Sequence, residues 1–396
     1  MPAVREFFFG PWRAVTVLGV TEILAWGALF YPPVLTMPLI AADRGWSLAF
    51  AMGGFSLGLL TTGLVSPRVG LAIDRYGGHV VMTAGSLLGA LGLVLLVHVA
   101  HPALYFAVWM LLGIAMAGNL YDPAFATLGR IFGAAARRPI TILTLAGGFA
   151  STVCWPLTQA LIDAFGWKGA YLAHAALLAF VSAPLHAFAL PRGHVAADAK
   201  SAPGAPAPAR VLPARGKTFI LVATGLAIYA FIPSALAAHM LAIFGRHGID
   251  ASTVVIIGAL FGPAQVAARV CELFFAAHLH PLSMLRFAIV LLLAAFGLLA
   301  ALGFSVPVVA LFAVMFGAAN GLVTIARGAV PLALFGHVGY GHLMGRIAKG
   351  FLLMQALAPL ALAYMVERTS DPAALALTAV FAVVSLGCFL AVRRPT

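Results

Sequence analysis

The sequence predicts an all-α membrane protein with twelve transmembrane helices, arranged as two pseudo-symmetric six-helix bundles. Three observations predict this fold: the composition, the number of long apolar runs, and a single polar interval at the middle of the chain. Of the 396 residues, 63% are hydrophobic and only 9% are charged, whereas soluble domains contain about 25% charged residues. So few polar residues cannot cover a water-facing surface, and the outer solvent must therefore be lipid.

The apolar runs give the number of helices, because a helix that crosses a bilayer needs about 20 mostly apolar residues. We number the runs as spans 1 to 12 in chain order. The first six lie at 12–40, 47–72, 78–99, 102–129, 140–163 and 168–190, and the second six at 218–244, 252–276, 284–304, 306–333, 342–366 and 373–392.

The polar interval divides the spans into two sets of six. Residues 191–217, PRGHVAADAKSAPGAPAPARVLPARGK, are rich in Pro and Ala, a composition typical of a flexible or semi-extended linker. The sequence thus predicts an N-terminal bundle over 1–190, a cytoplasmic linker, and a C-terminal bundle over 218–396. Shifting the sequence by 203 residues places Pro156 on Pro359, which supports two related halves.

The basic residues orient the chain. The formal net charge is +12, but the basic residues are scattered between the apolar runs instead of forming the basic face of a nucleic-acid-binding protein. We therefore expect no nucleic-acid partner. The loops on one side carry most of these residues, and the alternate loops carry only Arg44, Lys168, Arg246 and Arg368. The positive-inside rule then predicts a multi-pass protein of the cell (inner) membrane, with both termini in the cytoplasm.

The turn between spans 2 and 3 carries a motif, SPRVGLAIDRYGGHV, at residues 66–80. Its glycines allow close approach, and an Asp-Arg pair lies at the membrane surface. The motif resembles the G-x-x-x-D-R-x-G-R-R signature of the major facilitator superfamily, although Gly and His replace the last two basic residues. The matching residues are Gly70, Asp74, Arg75 and Gly77. The resemblance implies that these four residues lock and release a cytoplasmic gate.

Three further features resemble the monocarboxylate-transporter branch of that superfamily: FYPPVL late in span 1, DRGWS at the start of span 2, and an arginine midway along span 8. The lysine that such carriers usually have in span 1 is absent, and Glu22 occupies that region. Span 5 reads GGFASTVCWPLT and not the G-x-x-x-G-P-x-x-G-G of many drug/proton antiporters, which disfavours a standard drug exporter.

Span 8 contains a full positive and a full negative charge, Arg269 and Glu272. A charge at mid-bilayer costs roughly 2.5–3.5 kcal/mol, so such residues face the protein interior and are candidates for function. Their i, i+3 spacing puts both on one helix face. Either they form an ion pair that neutralises itself, or Arg269 binds a substrate carboxylate bidentately and Glu272 modulates the properties of Arg269. The resemblance to monocarboxylate carriers implies the second role.

The remaining polar residues of the spans are also candidates. Glu22 is a candidate proton carrier, because desolvation disfavours a charged carboxylate, or it is neutralised by a neighbour. Asp122, which precedes a proline, either caps freed backbone amides or takes part in coupling with Asn119 and Tyr121. Glu22, Glu272 and Asp122 are the candidate residues for proton coupling. Arg327 is a second candidate anion site or pairs with an acid. Asn320 and Gln265 either line the transport cavity or connect helices.

These features together predict a secondary active transporter whose halves rock around a midplane site. The predicted activity is proton-coupled transport of a small organic anion such as a carboxylate. The alternative is proton-driven efflux of drugs or metabolites, with a pocket shaped by aromatic residues such as Trp26, Trp109 and Trp155. We expect no enzymatic activity, no cofactor and no metal, because the sequence has neither a phosphate loop nor His/Cys ligand spacing. The expected partners are the substrate, protons and lipid, with the chain as a monomer.

Overall fold

The computed structural model describes residues 10–192 and 215–393. These residues are almost entirely helical, and no strand occurs among them. In the first half, span 1 comprises Arg13–Ala25, a π-helical turn Trp26–Phe30 and Pro33–Arg44, followed by Leu48–Tyr76 as span 2 and Gly78–His98 as span 3. Span 4 comprises Pro102–Asn119 and Tyr121–Phe132. Spans 5 and 6 are formed by Arg137–Gly148, Ala150–Leu177, Leu178–Ser182 and Leu185–Ala189.

In the second half each span is a single long helical run. The helices are Lys217–Arg246, Ala251–Cys271 continued by the π-helical turn Glu272–Ala276, Pro281–Leu302, Val306–Phe335, Tyr340–Arg368 and Asp371–Leu390. Four of the six contain an internal proline. Because a proline lacks the N–H that a helix interior uses, it frees a carbonyl that a neighbouring side chain can bind.

Within the described residues, ten helical runs are long and apolar enough to cross a membrane. One of them, Pro102–Ala189, has 88 residues, enough for three crossings of about 20 residues each. It is interrupted by the extended residue Leu120 and by two glycines with a positive φ, Gly133 at 56° and Gly166 at 69°. The run therefore supplies spans 4 to 6, and the prediction of a twelve-span all-helical membrane protein is confirmed.

The chain forms two compact units. The first contains the described residues up to 192 together with Gly336–Lys349, and the second contains 215–335 with the described residues from Gly350 onward. Residues 193–214, which make up most of the predicted linker, lie outside the described part of the chain. The linker and the predicted limits of the two bundles therefore remain predictions.

Small residues set the spacing of helices inside each unit. In the first unit, a Cβ on Gly113 of span 4 would collide with the Gly58 carbonyl of span 2. In the second, a Cβ on Gly317 would lie 2.5 Å from the Phe261 carbonyl oxygen, and one on Gly321 would lie 2.6 Å from that of Gln265. Close backbone approach of this kind is the usual basis of helix association in lipid. It holds span 10 directly against span 8, where the predicted substrate residues lie.

Candidate functional site

The second unit contains a buried guanidinium on span 8. Arg269 is only 3% exposed. Its Nε donates to the Gly321 carbonyl oxygen at 3.4 Å, and its Nη2 donates to Gln265 Oε1 at 3.1 Å. The first bond depends on the glycine, since a side chain there would push span 10 away from span 8. The structure thus holds Arg269 in the middle of a helix pair, with neutral oxygen atoms among its acceptors.

Two amides connect this guanidinium to span 7. Asn320 Nδ2 donates to Gln265 Oε1 at 3.2 Å, and the Tyr229 hydroxyl donates to Asn320 Oδ1 at 3.0 Å. These bonds fix both amide orientations, because Asn320 must accept through its oxygen and donate through its nitrogen. The structure therefore brings together Arg269, Gln265 and Asn320, as their predicted common role requires. Sequence reasoning missed Tyr229, which lies in an apolar run with no local signal.

Glu272 and Arg327 are the other charged candidates of this unit. Glu272 is 2% exposed and begins the π-helical turn Glu272–Ala276. Arg327 is 9% exposed, and its guanidinium carbon lies 4.2 Å from the centroid of the Phe351 ring, a cation–π distance. Arg327 is thus placed against an aromatic ring, and its predicted role as a second anion site remains a prediction.

In the first unit, Glu22 is completely buried. The indole Nε1 of Trp26 donates to Glu22 Oε2 at 2.8 Å. Trp26 is also the first residue of the π-helical turn that interrupts span 1, and turns of this type occur frequently at functional sites. The structure therefore places the predicted proton carrier at an irregular point of its helix, bonded to an aromatic side chain.

Asp122 lies in the first turn of the helix Tyr121–Phe132. It lines a cavity of about 10 Å³ together with Gly70 and Gly341, and this is about the volume that one water molecule needs. Asp122 is therefore beside the predicted gate turn. A Cβ on Gly70 would collide with the Gly341 carbonyl, so this position of the motif requires glycine.

The gate turn itself binds the start of span 11. Asp74 Oδ1 accepts from the backbone N–H of Gly341 at 2.8 Å, and Oδ2 accepts from that of His342 at 2.7 Å. Both N–H groups belong to the first turn of the helix Tyr340–Arg368, where free amides and the helix dipole favour a carboxylate. Asp74 therefore anchors the segment Gly336–Lys349 within the first unit.

The other predicted gate residues have different surroundings. Gly77 ends span 2 with a φ of 87°, a conformation that favours glycine. Arg75 is exposed, and its guanidinium lies 5.2 Å from the Tyr76 ring centroid. Arg130, which the sequence did not single out, donates to the Asp74 and Ile73 carbonyl oxygens at the end of span 2. Basic side chains commonly satisfy carbonyls at helix C-termini.

A polar network in the first unit joins Asn119 to three residues that sequence reasoning missed, Thr21, Ser86 and His186. Ser86 Oγ donates to Asn119 Oδ1 at 2.8 Å and lies 3.1 Å from His186 Nδ1. The other ring nitrogen of His186, Nε2, lies 2.9 Å from Thr21 Oγ1. All four side chains are buried. The network links spans 1, 3, 4 and 6.

The described residues contain no group of three or more His, Cys, Asp or Glu side chains that could hold a metal ion.

Comparisons with known proteins agree with this architecture. The family model described as Major Facilitator Superfamily matches residues 17–305. Monocarboxylate transporter 1 of Rattus norvegicus is 34% identical over 116 residues, which is 28% of this chain and 23% of the relative. Monocarboxylate transporter 11 of Homo sapiens is 30% identical over 261 residues, 55% of this chain and 54% of the relative. The chain therefore spans from about a quarter to about half of the length of these curated relatives.

Solved structures with the same fold cover nearly the whole chain. The human organic anion transporter MFSD10 has a TM-score of 0.72 at 17% identity, covering 96% of this chain and 99% of that one. The fucose:proton symporter FucP of E. coli has a TM-score of 0.73 at 12% identity, covering 96% and 97%. At such identities the likeness concerns the fold alone. Since the family model matches well over half of the chain, the protein belongs to the major facilitator superfamily.

Proposed function

We propose that the protein is a secondary active transporter that moves a small organic anion of the carboxylate class by alternating access, coupled to protons. The observation that carries this proposal is the guanidinium of Arg269, which is 3% exposed within a membrane-spanning helix and bonded to the neutral oxygens of Gln265 and Gly321. Transport, and not a chemical reaction, is the proposed activity.

A buried arginine is costly in a membrane span. Arginine cannot give up its proton in a protein, so burying Arg269 in a span means burying a full charge, at roughly 2.5–3.5 kcal/mol. A planar guanidinium binds a carboxylate through two parallel bonds. Gln265 and Asn320 add amide groups of fixed orientation next to it. We assign these three residues to the anion site, with Arg327 as a second basic candidate.

Proton coupling is proposed for the buried acids. A carboxylate that takes up a proton on one side and releases it on the other balances the charge of a monovalent anion carried with it. Glu22 and Glu272 are buried in their spans. Asp122 lies beside the gate turn. We assign all three to coupling, and we assign Gly70, Asp74, Arg75 and Gly77 to the gate.

The relatives support the class of cargo. The curated relatives are named monocarboxylate transporters, and one structural neighbour is described as an organic anion transporter and another as a fucose:proton symporter. Carriers of this kind act on small molecules, as the proposal requires. We further propose that the chain works as a monomer in the cell membrane, with both termini in the cytoplasm.

The test is uptake of labelled monocarboxylates into proteoliposomes under an inward proton gradient. We expect one acid or more to accumulate, and we expect Arg269→Gln to abolish the uptake. Arg269→Lys keeps the charge but loses bidentate geometry, so it should raise KM by about tenfold, equivalent to one charge-assisted hydrogen bond. Arg138→Gln, at an exposed arginine, is the matched control and should transport normally.

A different result would overturn the proposal. If no acid accumulates, while wild type and Arg269→Gln expel cationic dyes equally well, the protein is an exporter and Arg269 has a structural role. If an acid accumulates without a proton gradient, and collapse of the gradient changes nothing, the transport stands and proton coupling fails.

A further inference from the structure

A group of basic side chains lies where spans 2, 3, 4 and 6 end in the first unit. We define the basic group as His79, Arg130 and Arg192. Arg130 and Arg192 are the charged residues that act electrostatically on the His79 ring. A Cβ placed on Gly77 would lie 2.9 Å from His79 Nδ1 and 3.8 Å from Arg130 Nε. Three basic side chains, two of them permanently charged, therefore converge at this end of the unit.

The two arginines of the basic group are bonded to backbone carbonyls. Arg130 Nη1 donates to the carbonyl oxygens of Ile73 and Asp74 at the end of span 2. Arg192 Nη2 donates to the Ala187 carbonyl oxygen at 3.3 Å. Asp74 is the only acid of the motif 66–80, and both of its carboxylate oxygens accept from backbone N–H groups of span 11. The arginines thus keep their positive charge at the surface, while the carboxylate of that motif is engaged elsewhere.

Spans 3 and 6 present apolar side chains outward directly beside the basic group. The two spans are in contact, since the Thr83 hydroxyl of span 3 donates to the Ala183 carbonyl oxygen of span 6 at 3.4 Å. Four large apolar side chains on these spans are between 48% and 80% exposed: Val80, Leu87, Phe180 and Phe188. Val80 follows His79 directly, and Phe188 precedes Arg192 by four residues. In a membrane protein, such an exposed apolar face contacts lipid chains.

A phospholipid has the same two chemical parts in the same order, a charged head group at the membrane surface and hydrocarbon chains below it. Guanidinium groups bind phosphate oxygens through paired hydrogen bonds. Basic residues at the ends of membrane helices attract anionic lipids. A zwitterionic head group also carries a cation, which gains nothing from two nearby arginines. The arrangement therefore favours a lipid with a net negative head group.

We propose that the basic group and the adjoining outer faces of spans 3 and 6 form a binding site for one anionic phospholipid. Arg130 and Arg192 bind the phosphate, and His79 forms a hydrogen bond with the head group. The hydrocarbon chains lie against Val80 and Phe188. This site is separate from the proposed anion site at Arg269, and it depends neither on the transported substrate nor on which side of the membrane the termini occupy.

The test is native mass spectrometry of the purified full chain in detergent, titrated with phosphatidylglycerol or with phosphatidylcholine of the same chain length. The measured quantity is the Kd of the first bound lipid. We expect phosphatidylglycerol to bind about tenfold more tightly than phosphatidylcholine, and Arg192→Gln to reduce this preference about fivefold. Arg192→Lys keeps the charge and should keep most of the preference. Phe188→Ser should weaken both lipids alike, because it removes only apolar contact.

Arg138→Gln, at another exposed arginine, is the matched control and should keep the preference of wild type. Equal loss in Arg138→Gln and Arg192→Gln would overturn the proposal, because it would reveal only the diffuse charge of this end of the protein. Equal binding of the two lipids to wild type would overturn it as well. Displacement of phosphatidylglycerol by millimolar inorganic phosphate would identify a site for free phosphate and not for a lipid. Wild-type thermal unfolding of Arg192→Gln shows that its loss of preference is not a loss of fold.

Discussion

Replacing Asp74 with Asn is expected to release the segment Gly336–Lys349 from the first unit. The Asp74 carboxylate accepts one bond from Gly341 N–H at 2.8 Å and one from His342 N–H at 2.7 Å. A bond to a charged acceptor contributes about 1.5–3 kcal/mol, and a neutral one about 0.5–1.5 kcal/mol. Asn retains one acceptor oxygen and no charge, so one bond is weakened and the other is lost.

The expected loss is about 2 kcal/mol, because Asp74 is only partly buried and solvent replaces some of the attraction. That free energy corresponds to about a thirtyfold larger population in which the segment is undocked. Hydrogen–deuterium exchange of the reconstituted protein measures it directly, since exchange of the amides at 341 and 342 reports this opening. Asp74→Asn should therefore speed exchange in peptides that cover the segment.

Asp163→Asn is the matched control for this experiment. Its carboxylate accepts from the Gln159 side chain at an exposed position, so removal of that charge should leave exchange of the segment unchanged. If Asp74→Asn also exchanges within twofold of wild type, the two bonds contribute little, and the anchoring of span 11 must come from packing of Gly70 against Gly341.

Three further predictions concern stability and the polar network. A double-mutant cycle of Arg246→Ala and Asp371→Ala in thermal unfolding should give a coupling free energy of about 0.5–1 kcal/mol. The two hydrogen bonds measure 2.9 and 2.6 Å, but the arginine side chain is 47% exposed, so water weakens the pair. Additive effects of the two substitutions would contradict this. Tyr229→Phe removes the hydroxyl that orients Asn320. It should raise KM for the anion by a few-fold with little change in protein yield. An unchanged KM would show that Tyr229 and Asn320 do not position the anion site. Hydrogen bonds from a serine hydroxyl and a threonine N–H lower the pKa of Asp250 to about 2. A carboxylate with a depressed pKa stabilises the fold above its ordinary pKa, and this stabilisation is lost as the pH falls through the folded value. Asp250→Ala should therefore lower the unfolding temperature at neutral pH and have a much smaller effect near pH 2.

The twelve spans could be predicted because lipid imposes a length on each helix. The proline after Asp122 suggested that the helix of span 4 is interrupted there, whereas the chain is extended two residues before Asp122, at Leu120, and the helix Tyr121–Phe132 runs through the proline. The sequence did not indicate the π-helical turn at Trp26–Phe30, since none of those five residue types prefers such a turn. Packing of span 1 against span 5 through Gly27 and Cys154 accompanies that irregularity, and such packing is visible only in three dimensions.

The candidate residues were easier to find than their partners. Arg269 and Glu22 stand out because a charge in an apolar run is costly. Glu22 is bonded to a tryptophan, and Asn320 of the Arg269 network is bonded to a tyrosine; both residue types are ordinary in such runs. The hydrogen bond between Asp74 and Gly341 joins residues 267 positions apart, so no helical periodicity in the sequence could have indicated it. The motif identified one side of that contact, while only the folded chain supplied the other.

The two units satisfy their buried polar groups in physically different ways, and the difference supports assigning the anion to the second. In the first unit, the His186 ring lies within hydrogen-bonding distance of Thr21 and Ser86, and Ser86 donates to Asn119. Such a network holds four spans together with no net charge. A guanidinium has only donors and stays charged, so Arg269 is a costlier way to connect spans 8 and 10 than a neutral pair would be. Under the proposed function, a negatively charged cargo makes use of the charge that Arg269 keeps.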